Sequence, residues 1–307
     1  MTDIDAIQIN FNQDQVALLN VLLAFIMFGV ALDIRIDDFR ALLKERKKPL
    51  IGLTSEYLLL PLLTMLLIFI LQPGPSLSLG MILIAVCPGG STSNFMVHLA
   101  KGNSALSVML TSITTIGAIV ITPLAFTFWA SWVPGVQSLM SNISVNPVEM
   151  ILLIIQLILI PVALGMFINH RFPKTTKIIE RPISWLSMLI FLGFVFFAVA
   201  GNYENIKNYL HMVFLIVLLH NGLSLATGYL FARSFKLPVK DCKSISIETG
   251  IQNSGLGLAL VFNFFNGLGG MAMILAWWGV WHLVTGFGLA FYWRLKENRR
   301  EAAGAAS

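Results

Sequence analysis

The residues able to do chemistry lie in three short stretches of an otherwise apolar chain. Ser244 to Leu260 reads SISIETGIQNSGLGLAL and holds a carboxylate (Glu248), two amides (Gln252 and Asn253) and three glycines. Cys87 to Asn94 reads CPGGSTSN, a helix-breaking triplet followed by Ser91, Thr92, Ser93 and Asn94. Gly52 to Leu63 reads GLTSEYLLLPLL and places Glu56 in apolar surroundings. Carboxylate, hydroxyl and amide oxygens, with carbonyls freed where a helix unwinds, suit a small hard cation. The N-termini of restarted helices carry partial positive charge and free N–H groups, and so suit an anionic group.

These residues need long helices to position them. Of 307 residues 57% are hydrophobic and 11% charged, where a soluble domain carries about 25% charge, so the composition is that of an integral membrane protein. Nine apolar segments can be drawn: 16–33, 49–71, 77–99, 104–128, 147–169, 183–201, 210–232, 244–265 and 269–293. Between them 19 of the 20 basic residues fall on one side, from Arg35 to Lys48, then Lys101, Arg171 to Arg181, Arg233 to Lys243, and Arg294 to Arg300. Only Lys207 falls on the other. The positive-inside rule makes the basic side cytoplasmic, so the N-terminus is expected outside and the C-terminus inside. That requires an odd number of spans, and nine fits. The acidic start, MTDIDAIQINFNQDQ, lacks the basic region of a signal peptide, so the first helix is expected to stay. The basic loops explain the net charge of +5 without nucleic acid. Cys87 and Cys242 do not form a disulfide framework.

Two of the segments read as broken. Proline removes a backbone donor and clashes with the preceding turn, and glycine frees the chain, so the third segment should unwind at Pro88-Gly89-Gly90. Ser91 to Asn94 are good N-caps for its restart. The eighth should unwind at Thr249-Gly250 and restart near Asn253-Ser254. Freed backbone groups are costly in a bilayer unless they line a cavity or meet a ligand. Broken helices five segments apart run in opposite directions, the signature of a secondary transporter with inverted repeats. Residues 147–293 would form one repeat and 16–128 a repeat short of its first helix. Residues 1–15 would be extracytoplasmic and 294–307 a short, disordered cytoplasmic tail. Ionisable groups deep in a span are functional candidates, and Glu56 and Glu248 are the two such acids; Asp33 and Glu149 lie at segment ends and read as interfacial.

Other residues point less far. His98, His170 and His211 stand at segment ends; His220 in LLHNG and His282 in VWHLVTG stand deeper, where packing and substrate contact are equally open. No metal-ligand spacing such as HExxH occurs. An intramembrane enzyme is disfavoured: there is no GxSG, no pair of aspartates on facing helices and no nucleophile elbow. A continuous channel suits paired half-helices less well than occlusion does.

The stretches IMFGVALDIRIDDF, CPGGSTSNFMVHLAKGNSALSV, LLHNG, IETGIQNSGLGLAL and GVWH resemble, in order from residue 21 to 293, the bile acid:sodium symporter family. The resemblance implies a core domain and a panel domain, with the broken helices crossing in the core and Glu56 and Glu248 near each other. Bacterial members often have ten helices; this chain would lack the first, as animal members do, which agrees with an outside N-terminus. The resemblance further implies two sodium ions at the crossing. One would meet Ser93, Asn94, Ser107, Thr111 and Glu248; the other Glu56, Glu248, Gln252 and the carbonyls of Thr249 and Ile251. The i, i+4 spacing of Ser107 and Thr111 puts both hydroxyls on one helix face. Bacterial relatives commonly carry Gln in place of Glu56, and the extra carboxylate could tighten the second site or carry a proton instead. Relatives with Asn in place of Leu283 place it near a bound bile acid, with His282 beside it. A smaller acid such as pantoate could instead sit against Ser91, Thr92, Asn253 and Ser254.

The expected function is therefore sodium-coupled symport of an organic anion by alternating access, from a monomer in the bacterial inner membrane among its lipids. Proton-coupled transport through Glu56 is the alternative.

Overall fold

The computed structural model describes residues 5, 7–9, 13–32, 34, 45–90, 92–136, 147–201, 203 and 207–305. Asp33, residues 35–44 and Ser91 lie outside the described residues. Among those described, the chain is helical, with two isolated β-bridges. In order the helices are α1 (Gln13–Ala31), α2 (Lys47–Leu71), α3 (Pro75–Val86), α4 (Thr92–Leu99), α5 (Ser104–Ala130), α6 (Pro147–Ile154, Ile155–Leu159 and Ile160–Arg171 without interruption), α7 (Pro173–Gly201), α8 (Leu210–Ser234), α9 (Val239–Gly250), α10 (Ser254–Phe264) and α11 (Gly269–Ala305). Six of these are long and apolar enough to cross a membrane: α1, α2, α5, α6, α8 and α11.

Burial separates two kinds of helix. Every residue of α3 from Ser76 to Val86 is buried, as is every residue of α10 from Ser254 to Phe262 and of α9 from Asp241 to Gly250. Helices apolar all round belong inside a bundle, and α3 and α10 are of that kind. The longer helices instead expose large apolar side chains: Leu18 and Val21 on α1, Phe69 and Ile70 on α2, Leu124 and Phe128 on α5, and Phe167 on α6. Apolar surface spread over so many helices has only lipid to face. The chain is an all-α membrane protein, with α3, α9 and α10 of its broken helices packed inside the longer ones.

Both breaks fall in the expected places. Helix α3 ends at Val86 before Cys87-Pro88, and α4 starts at Thr92. Helix α9 ends at Gly250, and α10 starts at Ser254 with Asn253 as N-cap, its Oδ1 accepting the Leu256 N–H at 3.0 Å. A third irregularity lies in α2, where Ser55–Leu59 widens to a π turn containing Glu56. The inserted residue rotates the helix face, a device frequent at functional sites.

The segment from Arg294 onward is not an unstructured tail, because α11 runs on to Ala305. Its run of Leu, Lys, Glu, Arg and Ala favours helix, and Glu297 ties it to the core. The Lys243 ammonium, 3% exposed, lies 2.9 Å from the Ala100 carbonyl and 3.4 Å from Glu297 Oε2. It thus places a positive charge just past the C-terminal end of α4, where the helix dipole favours one. Lys243→Met would leave that carbonyl and Glu297 without this partner. Loss of such a charged hydrogen bond should cost about 1–3 kcal/mol, visible as a lowered melting temperature in detergent; an unchanged one would contradict the assignment.

Candidate functional site

The two breaks lie against each other and satisfy each other's backbone. The Gly90 N–H donates to the Ile251 carbonyl at 2.8 Å, and the Asn253 N–H donates to the Pro88 carbonyl at 2.9 Å. Gly89 and Gln252 thus pair as a two-stranded antiparallel bridge where four half-helices meet. This accounts for part of the backbone that unwinding frees inside the bilayer.

Glu248 leaves α9 at this crossing with no exposure to solvent. Ser93 of α4 donates to its Oε1 at 2.6 Å, Ser107 of α5 also reaches Oε1, and Thr111 donates to Oε2 at 2.8 Å. Asn94 Oδ1 lies 2.8 Å from Ser107 Oγ and 3.2 Å from Thr111 Oγ1. Three elements thus bring together all five residues of the first expected set. Each hydroxyl has one hydrogen to give and keeps lone pairs, so the cluster holds acceptor capacity that its own protons cannot fill.

Glu56 approaches the same point from the π turn of α2. A Cβ added at Gly89 would lie 2.9 Å from Glu248 Oε2 and 3.7 Å from Glu56 Oε2. The two oxygens are therefore within about 7 Å, near enough for two charges to repel strongly in a buried site. Both Glu56 oxygens are buried and have no hydrogen-bond partner among the described residues, and the same holds for Gln252 Oε1. Buried polar atoms are rarely left unpaired, and orphaned carboxylate oxygens call for a cation or a proton. A donor set of carboxylate, hydroxyl, amide and carbonyl oxygens fits a hard monovalent cation.

The rest of the second expected set is arranged less simply. The Gln252 amide nitrogen donates to the carbonyls of Glu248 at 3.2 Å and Thr249 at 3.1 Å, which turns its oxygen the other way. The Ile251 carbonyl already accepts from Gly90, leaving it one lone pair. The Thr249 hydroxyl meets Ser55 at 2.7 Å and the Ile245 carbonyl at 2.8 Å.

Of the expected substrate contacts, Thr92 opens α4, half-buried, and Ser254 opens α10, buried. The Asn253 oxygen is engaged as the α10 cap, and its nitrogen lies 3.6 Å from the Met27 sulfur of α1. His282 is buried on α11, its Nδ1 without a partner among the described residues. His220 is held by packing: its Nε2 lies 2.7 Å from the Thr64 hydroxyl and its ring sits edge-on to Trp278.

Several participants escape sequence reasoning. Thr114 Oγ1 stands 3.4 Å from the Gly89 N–H. Its place one turn beyond Thr111, on the stripe Ser107–Thr111–Thr114, was the available signal. Ser55 stands directly before Glu56, and that adjacency was its available signal. Asn221 was readable only as part of LLHNG.

Comparison with known proteins gives a consistent picture. The model of the Sodium Bile acid symporter family matches residues 20–209. The chain is 35% identical over 290 residues to a Bacillus subtilis protein named as the uncharacterized sodium-dependent transporter YocS, covering 94% of this chain and 87% of that protein. It is 32% identical over 276 residues to the probable chloroplastic sodium/metabolite cotransporter BASS1 of Arabidopsis thaliana, covering 89% of this chain and 65% of that one. To the human ileal sodium/bile acid cotransporter it is 28% identical over 248 residues, covering 79% and 68%. All three are named as transporters, which agrees with a reading that excludes an enzyme.

Proposed function

Because the chain belongs to the Sodium Bile acid symporter family, we propose that it moves an organic anion across the membrane together with sodium, by alternating access. The observation that carries this reading is the orphaned Glu56 carboxylate, within about 7 Å of the hydroxyl-held Glu248 at the bridge between the two breaks. Two such carboxylates are stable together once cations lie among the surrounding oxygens. We assign one sodium to Ser93, Asn94, Ser107, Thr111 and Glu248, and a second to Glu56, Glu248, Gln252 and the carbonyls of Thr249 and Ile251. The anion then docks between α1 and the starts of α4 and α10, where Thr92, Asn253 and Ser254 offer donors near two positive helix ends. Ions and anion share one stretch of unwound backbone, so occupancy of one biases the other.

The nine-span arrangement, with the N-terminus outside and the C-terminus cytoplasmic, follows from the charge of the loops. Relatives are named for bile acids and for metabolites, and the substrates to try are a bile acid and, on the chemistry of the half-helix ends, a small carboxylate such as pantoate. Proteoliposomes separate the readings. An inward sodium gradient should drive uptake of at least one labelled anion of these classes, with steeper than first-order dependence on sodium. Uptake driven by a proton gradient and indifferent to sodium would replace the reading with proton coupling through Glu56.

A pH effect follows from the paired carboxylates. Protons and sodium compete for the same oxygens, so the sodium concentration for half-maximal uptake should rise as pH falls. Glu56→Gln removes one competing carboxylate and should flatten that dependence. An identical pH profile in wild type and variant would rule out the role given to Glu56.

A further inference from the structure

The carbonyl of Gly250, the last residue of α9, would bond to an N–H four residues on if the helix continued. The helix stops, and the donor comes from α8 instead: Asn221 Nδ2 donates to this carbonyl at 2.7 Å. Asn221 has no solvent exposure, so its own oxygen also needs a partner. Thr285 of α11 supplies it, with Oγ1 2.6 Å from Asn221 Oδ1. The same hydroxyl lies farther from the carbonyls of its own helix, 3.2 Å from Trp281 and 3.3 Å from His282. A threonine that bonds across helices in preference to its own preceding turn indicates a tertiary role. Around this point α8 is fastened along α9: Ser246 donates to the Leu225 carbonyl at 2.7 Å, and a side chain at Gly250 would run into Leu225.

We infer that Thr285 and Asn221 form a two-link brace that fixes where α9 ends, and through it the orientation of residues 249–252 at the cation site. The inference rests on the sodium reading above. Both are positioning residues: neither belongs to either assigned ligand set, and the brace acts only through the Gly250 carbonyl. Without the Thr285 hydroxyl the Asn221 amide is free to turn, and Thr249, Ile251 and Gln252 lose a fixed reference.

The test compares wild type, Thr285→Val, which removes the hydroxyl at nearly constant shape, and Thr285→Ser, which keeps it. Purified protein is titrated with NaCl against KCl at constant ionic strength, and the sodium concentration giving half of the thermal stabilisation is read. Thr285→Val should raise that concentration about fivefold, the value of one ordinary hydrogen bond. Thr285→Ser should stay near wild type, whereas Thr285→Val, which leaves the buried Asn221 oxygen without this donor, should melt lower in KCl, so each half-saturation is read against that variant's own KCl baseline. If Thr285→Val does not fold, Asn221→Ser, which shortens the link, must show the same loss of sodium sensitivity. A wild type that responds to sodium beside a Val variant with unchanged half-saturation overturns the brace alone. So does an equal shift for Val and Ser. A wild type with no sodium-specific stabilisation overturns the cation reading, and the brace with it.

Discussion

Replacing Glu248 by Gln is expected to abolish the extra thermal stability that NaCl confers over KCl at equal ionic strength. Glu248 is shared by both assigned sodium sites, and three hydroxyls from α4 and α5 converge on its carboxylate. Glutamine keeps the size of the side chain but removes the charge and turns one acceptor into a donor, which faces hydroxyls and a cation poorly. A ligand that binds only the folded state stabilises it by about 2.7 kcal/mol at a hundred times its Kd, and that whole increment should vanish. Sodium-driven uptake should vanish with it. Because Gln still hydrogen-bonds, the variant should fold, and its melting curve in KCl serves as the check. Retention of the sodium-specific increment would contradict the placement of the charge.

Gly89→Ala should also weaken sodium binding strongly. The added Cβ would sit 2.9 Å from Glu248 Oε2, with Glu56 Oε2 and Thr114 Oγ1 each at 3.7 Å. The carboxylate cannot yield easily, because Ser93, Ser107 and Thr111 hold it. The methyl therefore occupies space between the two acids, and sodium affinity should fall about tenfold or more, a loss near 1.4 kcal/mol. Because the methyl presses on a held carboxylate, some stability in KCl should be lost as well, so the sodium response of each variant is read against its own KCl baseline. The adjacent Gly90→Ala is the control. Its Cβ would meet the Gln252 carbonyl at an ordinary 3.5 Å, and sodium affinity should stay close to wild type. Equal sodium half-saturation in both variants would show that the space beside Gly89 is not used.

What the sequence makes legible here is what local chemistry dictates. Pro88-Gly89-Gly90 announces a break because three poor helix formers stand together, Gly250 marks where the other helix ends, and Asn253 announces a cap because its short amide can take a free N–H. The convergence of Ser107 and Thr111 on one face follows from helical spacing alone. The joining of the two breaks is a different matter. The bridge between Gly89 and Gln252 depends on tertiary placement, and nothing within either stretch encodes it. The nearness of Glu56 to Glu248 came only through the family resemblance. The π turn that aims Glu56 has no sequence mark beyond the proline that follows it, Pro61. Asn221, Thr285 and Lys243 are single polar residues whose partners lie tens to more than a hundred positions away. The polar end of the chain was misread because charge suggested a solvated tail, whereas its Ala, Glu and Arg content favours the helix that α11 continues.

Equilibrium binding of radiolabelled sodium shows whether the crossing of the broken helices is a sodium cage. Purified wild type in potassium buffer should bind two sodium ions per chain, displaced by unlabelled sodium and not by potassium, and Glu248→Gln should bind none. Binding that potassium displaces equally well, or that survives in Glu248→Gln, would contradict the account.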